Sequence, residues 1–395
     1  MCLPVNWRYI LILAAWTLAW SGSSAAKPYT PVDDGEVLAR VPISSAAKRP
    51  ELERLRSIVR AEPNNLQAAV RLASEYLTAA RRQADPRYYG YIQSALAPWW
   101  NQAQPPAEAL LIRAATRAAR HDFDAALDDL AQVLQVQPRS PQAWLSRSVM
   151  LTVIGRYEEA TSSCLPLRML AGHLLSDACV ANTASLRGRA AASAELLDSA
   201  LKSSQSDEPE TRAWALGILA DINNRIGRYS EAEENYLEAL EAGIPDVQLL
   251  AAYADFLIEQ DRPGDVIDLL HNEGLPDALL LRLALAERVL NSPALSAHVA
   301  ELGKRFAAAD RRGEDAHLRE RARYTLQLLD QPTSALELAL RNWSKQREPA
   351  DARLVLEAAL AAGMADAAKP VLRWRTQTGI EDLHLTRLAD GLENL

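Results

Sequence analysis

Phenylalanine and cysteine are scarce in this sequence. Its 395 residues include three of each, whereas 49% of the residues are hydrophobic and these are mainly alanine and leucine. Small and unbranched side chains suit close helix packing, while a β-sheet favours β-branched and aromatic residues. The composition therefore predicts an all-α protein, and a chain of this length is able to bury a large core.

An excess of positive charge is also lacking. The formal net charge of the chain is −8 at pH 7. A protein that binds nucleic acid or anionic membranes without sequence preference needs a basic face. We therefore expect no nucleic-acid partner.

Recognisable catalytic and metal-binding patterns are missing as well. The six histidines are scattered, and none has a second histidine four positions away, as a helical zinc site requires. The sequence contains no G-x-S-x-G nucleophile motif, phosphate-binding loop or dinucleotide-binding glycine pattern. We expect no cofactor, no metal site and no enzymatic activity. The histidines are His121, His173, His271, His298, His317 and His384.

No apolar run is long enough to span a bilayer comfortably. The apolar run from Tyr9 to Trp20 follows Arg8 and precedes the small residues Ser24-Ala25-Ala26. This order is typical of a secretory signal peptide, so we expect residues 1–26 to be removed before Lys27. The expected location is periplasmic or secreted, without a stable membrane span. The alternative is an uncleaved N-terminal segment that anchors the chain in the inner membrane.

One pattern recurs along the middle of the chain. In the stretch from Ala143 to Ala160, Gly155 and Tyr157 stand between the small residues Ser148 and Ala160. His121 and Phe123 occupy the corresponding positions one repeat earlier, and Gly188 stands one repeat after Gly155. Gly227 and Tyr229 begin another copy after a slightly longer interval, and Asp261 follows one repeat further on. The spacing resembles the tetratricopeptide repeat (TPR), a unit of about 34 residues built from two antiparallel helices.

The resemblance implies an α-solenoid, a right-handed superhelix of stacked antiparallel helix pairs. It is strongest over residues 107–270, and residues 271–395 are interpreted as degenerate repeats of the same kind. Upstream lie an extended arm with a capping helix (27–61) and an irregular first helical pair (62–106). The C-terminal pairs are predicted at 276–290 with 293–309, 318–329 with 333–343, and 350–362 with 365–376.

The irregular first pair carries the densest aromatic cluster in the chain, which consists of Tyr88, Tyr89, Tyr91, Trp99 and Trp100. Such rings are able to form a platform for a peptide or a sugar. The alternative is that they fill an irregular junction ahead of Pro105 and Pro106, since aromatic residues at helical spacing are usually buried.

The resemblance also implies a role. In this family the first helix of each pair lines a concave face that holds a peptide, so we expect an interaction scaffold or adaptor in the bacterial envelope. The alternative is an accessory solenoid that binds envelope glycan or peptidoglycan, or supports a polysaccharide-processing enzyme. Matched by position, the concave face carries Arg71, Ser74, Ser146, Val149, Asn182, Asp221, Asn224, Arg225, Asp255 and Glu259.

Two cysteines, Cys164 and Cys179, stay in the chain once the predicted signal peptide is removed. They fall in the second helix of one repeat and the first helix of the next, which are antiparallel neighbours in the family. Exported proteins reach an oxidising compartment, where disulfides persist. A disulfide between these residues is one expectation, and two buried thiols that pack as small apolar groups are the alternative.

Overall fold

The computed structural model describes residues 49–83, 85–204, 208–243, 246–272, 274–311 and 317–393. The predicted signal peptide (1–26) and extended arm (27–47) lie outside these ranges. Within them the regular elements are helices. In chain order these are α1 (Arg49–Ala61), α2 (Leu66–Gln83), α3 (Arg87–Ala95), α4 (Ala97–Trp100), α5 (Ala107–Ala119), α6 (Phe123–Val136), α7 (Pro141–Val153), α8 (Tyr157–Cys164), α9 (Leu167–Leu170), α10 (His173–Ser185), α11 (Ala190–Ser203), α12 (Pro209–Arg225), α13 (Tyr229–Ala242), α14 (Val247–Glu259), α15 (Pro263–Leu269), α16 (Asp277–Val289), α17 (Leu295–Arg311), α18 (Leu318–Gln327), α19 (Pro332–Trp343), α20 (Pro349–Ala362), a 3-10 helix (Ala365–Ala368), α21 (Lys369–Thr378) and α22 (Leu383–Glu393).

Successive helices form pairs that stack in sequence order. The pairs are α2/α3, α5/α6, α7/α8, α10/α11, α12/α13, α14/α15, α16/α17, α18/α19 and α20/α21, and neighbouring pairs are in contact. Helix α1 packs against α2 at the start of the stack, and α22 packs against α20 at its end. Because each pair buries much of its apolar surface against its neighbours, successive pairs depend on one another for stability. The predicted all-α solenoid is confirmed.

A residue with positive φ stands at the turn of each pair from α5/α6 to α20/α21. These residues are His121, Gly155, Gly188, Gly227, Asp261, Asn291, Asp330 and Gly363, with φ between 52° and 82°. This left-handed conformation ends a helix and lets the next amides reach its free carbonyl groups. At Gly155, for example, the following N–H of Arg156 donates to the carbonyl of Leu151 at 2.8 Å. The positive-φ turn therefore recurs in every one of these pairs, whereas glycine at that position does not.

Small side chains allow the paired helices to approach closely. Ala126, Ser148 and Ala160 are at most 1% exposed. Trp144 is only half-buried, and its indole N–H donates to the carbonyl of Pro138 at 2.9 Å. The strongest repeat therefore depends on small residues at the helix crossing more than on its tryptophan.

The C-terminal pairs fold back across the turns of the middle pairs. The Tyr157 hydroxyl donates to the carbonyl of Arg347 at 3.0 Å and accepts from the Trp374 indole N–H at 3.0 Å. The amide of Arg347 also donates to the carbonyl of Val153 at 2.7 Å. Burial raises the pKa of Tyr157 to about 12. Tyr157 thus joins its own repeat to helices near the C-terminal end of the chain.

Three turn glycines lie directly under this C-terminal layer. A Cβ atom at Gly155 would lie 3.0 Å from Cδ of Arg347, and one at Gly188 would lie 2.9 Å from the carbonyl oxygen of Gly379. A Cβ atom at Gly227 would lie 2.7 Å from Cδ1 of Leu383. At Gly188 the contact is with the backbone, so a side chain there would force the C-terminal layer to shift. At Gly155 and Gly227 the contacts are with side-chain atoms, which have some freedom to move.

The solenoid also closes on itself at its inner face, which is the concave face lined by the first helix of each pair. Helix α14, the first helix of its pair, comes within 8 Å (Cα to Cα) of α2, the first helix of the irregular N-terminal pair. This contact and the C-terminal layer were not predicted from the sequence. Both restrict the concave face that the resemblance assigned to partner binding.

The covered turns predict an asymmetry between two glycine substitutions. Gly188→Ala and Gly363→Ala both place a Cβ in the left-handed region, at a cost of about 1–2 kcal/mol. Only Gly188→Ala also forces a backbone contact, since no atom of the described residues lies within 4 Å of a Cβ at Gly363. We expect Gly188→Ala to destabilise the protein by about 1 kcal/mol or more beyond Gly363→Ala in urea unfolding. Equal losses would show that the turn at Gly188 is open in solution.

Candidate functional site

The residues predicted to line the concave face fall into two groups. Asn224, Arg225, Asp255 and Glu259 bind other side chains of this chain. Arg71, Ser74, Ser146, Val149 and Asn182 belong to the N-terminal half of the stack and keep partial or full exposure. Asp221 is also exposed, although it pairs with Arg225 at 3.0 Å. The side chains of the first group are thus occupied by contacts within this chain, and those of the second group stay accessible.

Asp255 on α14 is held by two arginines from later helices. Arg282 of α16 lies 2.6 Å from its carboxylate, and Arg323 of α18 lies 2.7 Å away. Burial alone would raise the pKa of Asp255, but the two guanidinium groups outweigh it and lower the pKa to about 2. Each carboxylate oxygen accepts from one guanidinium group, so Asp255 connects three successive helix pairs.

Glu259, one helical turn further along α14, has a similar role. Its carboxylate accepts from Asn224 Nδ2 at 3.0 Å, forms an ion pair with Arg353 of α20, and lies 3.3 Å from Nε2 of His384 on α22. Burial and the nearby Arg353 lower the pKa of His384, which favours the neutral imidazole. Glu259 thus links the middle of the stack to its last helices.

Arg225 has a structural role as well. It is 2% exposed and donates to Oγ of Ser185 at 2.8 Å, so it ties α12 to the end of α10. Asn224, the residue before it, is buried as well. In the structure they face other helices of this chain and are not directed toward an open groove.

The accessible group presents mixed chemistry. Val149 on α7 is 39% exposed. Arg71 on α2 reaches Glu51 on α1 at 3.3 Å. The side chains of Ser74, Ser146 and Asn182 make no hydrogen bond within the described part of the chain, so their polar atoms are available to a ligand. Their partner-binding role stays a prediction.

Most of the aromatic cluster fills the N-terminal junction. Tyr88 packs against Tyr76 and Tyr91 with ring centroids 6.1 and 5.8 Å apart, and Trp99 is buried. Tyr89 is half-buried, and burial raises its pKa. Trp100 is half-buried as well. Of the five predicted rings only Tyr91 is substantially exposed, at 49%, so the arrangement favours the packing interpretation for the other four.

A buried ion pair fixes this junction against the next pair. Arg113 on α5 binds Asp129 on α6 through two hydrogen bonds of 2.7 and 3.0 Å. Its remaining nitrogen donates to the carbonyls of Trp100 and Gln102 at 2.6 and 3.2 Å. Both charged side chains are almost fully buried, and their polar atoms are satisfied. No sequence pattern indicated this pair, because the two residues lie on different helices.

An open cavity of 680 Å³ lies beside the cluster, between α1 and helices α2 to α4. Tyr91 contributes its exposed ring, and α1 contributes Arg56 and Arg60. The lining residues are Arg56, Val59, Arg60, Pro63, Leu72, Tyr76, Tyr91, Ser94, Ala95, Ala97 and Pro98. The sequence pointed to Tyr91 but not to the two arginines, since the family pattern does not extend to α1.

Cys164 and Cys179 are joined by a disulfide. The sulfur atoms are 2.03 Å apart and the Cα atoms 5.6 Å apart, so the bond links α8 to α10 in the next pair. Both residues are buried, and the Ser148 hydroxyl oxygen lies 3.1 Å from one sulfur and 3.2 Å from the other. The small residue of the repeat pattern at Ser148 thus makes room for the bridge.

Metal-binding clusters and membrane-spanning helices are both absent from the described residues. No group of three or more His, Cys, Asp or Glu side chains in these ranges is placed to bind a metal ion. Over the same ranges, none of the helices combines the length and apolar character needed to cross a membrane.

The sequence matches no protein-family model and no curated protein at a significant level. Similar solved structures include a tetratricopeptide repeat protein from Parabacteroides merdae, with 16% identity and a TM-score of 0.43 over 61% of this chain and 94% of that one. Human IFIT1, solved as a dimer with PPP-AAAA, has 12% identity and a TM-score of 0.41 over 84% and 95% of the two chains. Yeast Tom70 has 12% identity and a TM-score of 0.41 over 88% and 86%.

The position of Asp255 predicts an acid-sensitive contribution to stability. Because its pKa is lowered in the folded state, its ion pairs stabilise the protein above the unfolded pKa of about 3.9 and are lost as pH falls toward about 2. The stability difference between wild type and Asp255→Asn should therefore shrink by about 2–3 kcal/mol between pH 5 and pH 2.

Urea unfolding at several pH values measures this difference. Asp268→Asn is the matched control, because Asp268 is exposed and forms no ion pair within the described residues. A difference between wild type and Asp255→Asn that is constant over the whole pH range would contradict the assignment.

Proposed function

We propose that this chain is a non-enzymatic scaffold of the bacterial envelope that binds a partner polypeptide through the N-terminal half of its inner face. Stacked helix pairs present a long, rigid surface whose side chains come from several elements. Such a surface is suited to holding an extended or helical segment.

The observation that carries this proposal is the contrast between the two halves of the inner face. Asp255 and Glu259 in the later half are neutralised by arginines of this chain. In the earlier half, Ser146 and Asn182 have side-chain polar atoms without a partner among the described residues. Val149 lies in the same half and is exposed. Polar groups that hydrogen-bond a backbone, together with an apolar side chain, match the needs of a polypeptide ligand.

The envelope location rests on two features of different kinds. The pattern at residues 1–26 is that of an export signal. The disulfide between Cys164 and Cys179 is a bond that oxidising compartments preserve and that is rare in the cytosol. Together they support export followed by folding in the periplasm.

A glycan ligand is less well supported than a polypeptide. An aromatic platform for sugars needs open ring faces, whereas Trp99 is buried and Tyr88, Tyr89 and Trp100 are half-buried. Only the ring of Tyr91 is substantially open among the five.

Charge placed at the inner face should weaken partner capture. We expect the protein to retain a stoichiometric partner from envelope extract, and Val149→Arg to reduce that retention about tenfold, equivalent to about 1.4 kcal/mol. Val136→Arg is the control, because Val136 is 69% exposed at the end of α6, a second helix of its pair. Captured proteins are quantified by mass spectrometry, and circular dichroism checks the fold of each variant.

Two outcomes would contradict the proposal. One is retention on purified peptidoglycan without any protein partner. The other is equal retention by wild type and Val149→Arg, which would move the binding surface away from the inner face.

A further inference from the structure

We propose that the cavity between α1 and helices α2 to α4 binds an acidic segment of a partner polypeptide, in which a carboxylate stands beside an aromatic or aliphatic side chain. The inference rests on the proposed function only in assuming that the ligand is a polypeptide. It concerns a different surface from the inner face, lined by different residues.

The basic side of the cavity is supplied by α1. Arg56 and Arg60 lie one helical turn apart and therefore project from the same face of the helix. Arg56 is held in place because its Nε donates to the Tyr76 hydroxyl at 2.7 Å and its guanidinium carbon lies 5.4 Å from the centre of that ring. Arg60 makes no hydrogen bond or ion pair with any residue that the structure describes. The fixed Arg56 and the unpaired Arg60 give the site a preorganised and an adaptable cation.

The charged side chains that line the cavity are both arginines, Arg56 and Arg60. No aspartate or glutamate is among the described residues that line the cavity, although acidic residues outnumber basic ones in the chain as a whole, 51 to 43. Guanidinium groups bind carboxylates with hydrogen bonds that are stronger than neutral ones. The cavity therefore attracts a carboxylate and repels a basic segment.

The rest of the lining is apolar. The apolar lining residues are Val59, Pro63, Leu72, Ala95, Ala97 and Pro98. The exposed Tyr91 ring is supported by Tyr76, with ring centroids 5.5 Å apart. This surface suits an aliphatic or aromatic side chain of the ligand.

The same lining disfavours a sugar. Burying several hydroxyl groups against Val59, Leu72 and the two prolines would cost free energy for each group that loses its hydrogen bond to water. Among the described lining residues, the uncharged polar side chains are Ser94 and the hydroxyls of Tyr76 and Tyr91. A ligand with a carboxylate next to an apolar side chain would contact both the arginines and the apolar residues of the lining.

Fluorescence anisotropy with short labelled peptides tests the site on the purified protein. The probe is Glu-Asp-Leu-Phe, and its controls are Gln-Asn-Leu-Phe, which lacks the charge, and Glu-Asp-Gly-Gly, which lacks the apolar side chains. We expect each control peptide to bind about tenfold more weakly than the probe, and probe affinity to fall with added salt.

Matched variants locate the site. Arg60→Glu and the milder Arg60→Gln should weaken probe binding, the former by about tenfold or more. Arg54→Glu is the control, because Arg54 is an exposed arginine of the same helix that pairs with Glu51 and does not line the cavity. Thermal unfolding of each variant verifies that α1 stays folded.

Three results would overturn the inference: equal probe affinity in wild type and Arg60→Glu, equal affinity for the charged and uncharged peptides, or binding of peptidoglycan fragments in place of the probe. If envelope extract yields a partner that Val149→Arg loses while the probe does not bind, the cavity inference is wrong and the scaffold stands. If the probe binds through Arg60 and no partner depends on Val149, the inner-face proposal is the one that fails.

Discussion

The arrangement of this solenoid depends on the close approach of its C-terminal pairs to three turns in its middle. At Gly155, Gly188 and Gly227 the incoming chain occupies the space in which any other side chain would begin. Beside the first of these turns, the hydroxyl of Tyr157 binds both Arg347 and Trp374. The buried cluster around Tyr157 contains Trp343, Val355 and Trp374, so this contact is part of the apolar core.

The acidic residues of the inner face are paired with basic residues of this chain. In an open superhelix, Asp255 and Glu259 would present acidic groups to a ligand. Here arginines from α16, α18 and α20 occupy them, together with Asn224 and His384. Because a buried or half-buried carboxylate without its partner is costly, removing one partner of any of these ion pairs should destabilise the protein. The two surfaces that we propose for ligands, at Val149 and in the cavity beside α1, lie toward the N-terminal end.

The sequence was sufficient to predict the stack because the repeat is a local pattern. Helix pairs and turns follow from the spacing of small residues and of positions that accept positive φ, including His121 and Asp261, where no glycine marks the turn. The closure was not predictable in the same way. Tyr157 has the same sequence signature whether it fills its own repeat or contacts Trp374, close to the C-terminal end. Helix α22, which carries His384 and Leu383, was not predicted because it lies beyond the last recognisable pair.

In the candidate site, too, local patterns were predictable from the sequence and contacts between distant helices were not. The family pattern placed Asn224 and Arg225 on the inner face by position, but it carried no information on whether other helices of the chain would cover them. Conversely, Arg56 and Arg60 lie in the capping helix, where no family pattern applies, so their place in a cavity with Tyr91 became evident only from the packing of α1.

In the structure the C-terminal pairs contact the turn at Tyr157. A double-mutant cycle with Tyr157→Phe and Trp374→Phe, followed by urea unfolding, measures the interaction between the two side chains directly. The closed arrangement predicts a coupling free energy of about 0.5–3 kcal/mol, because the indole N–H and the hydroxyl lie within hydrogen-bond distance. Strictly additive effects of the two substitutions would show that the two side chains are not in contact and that the solenoid is open.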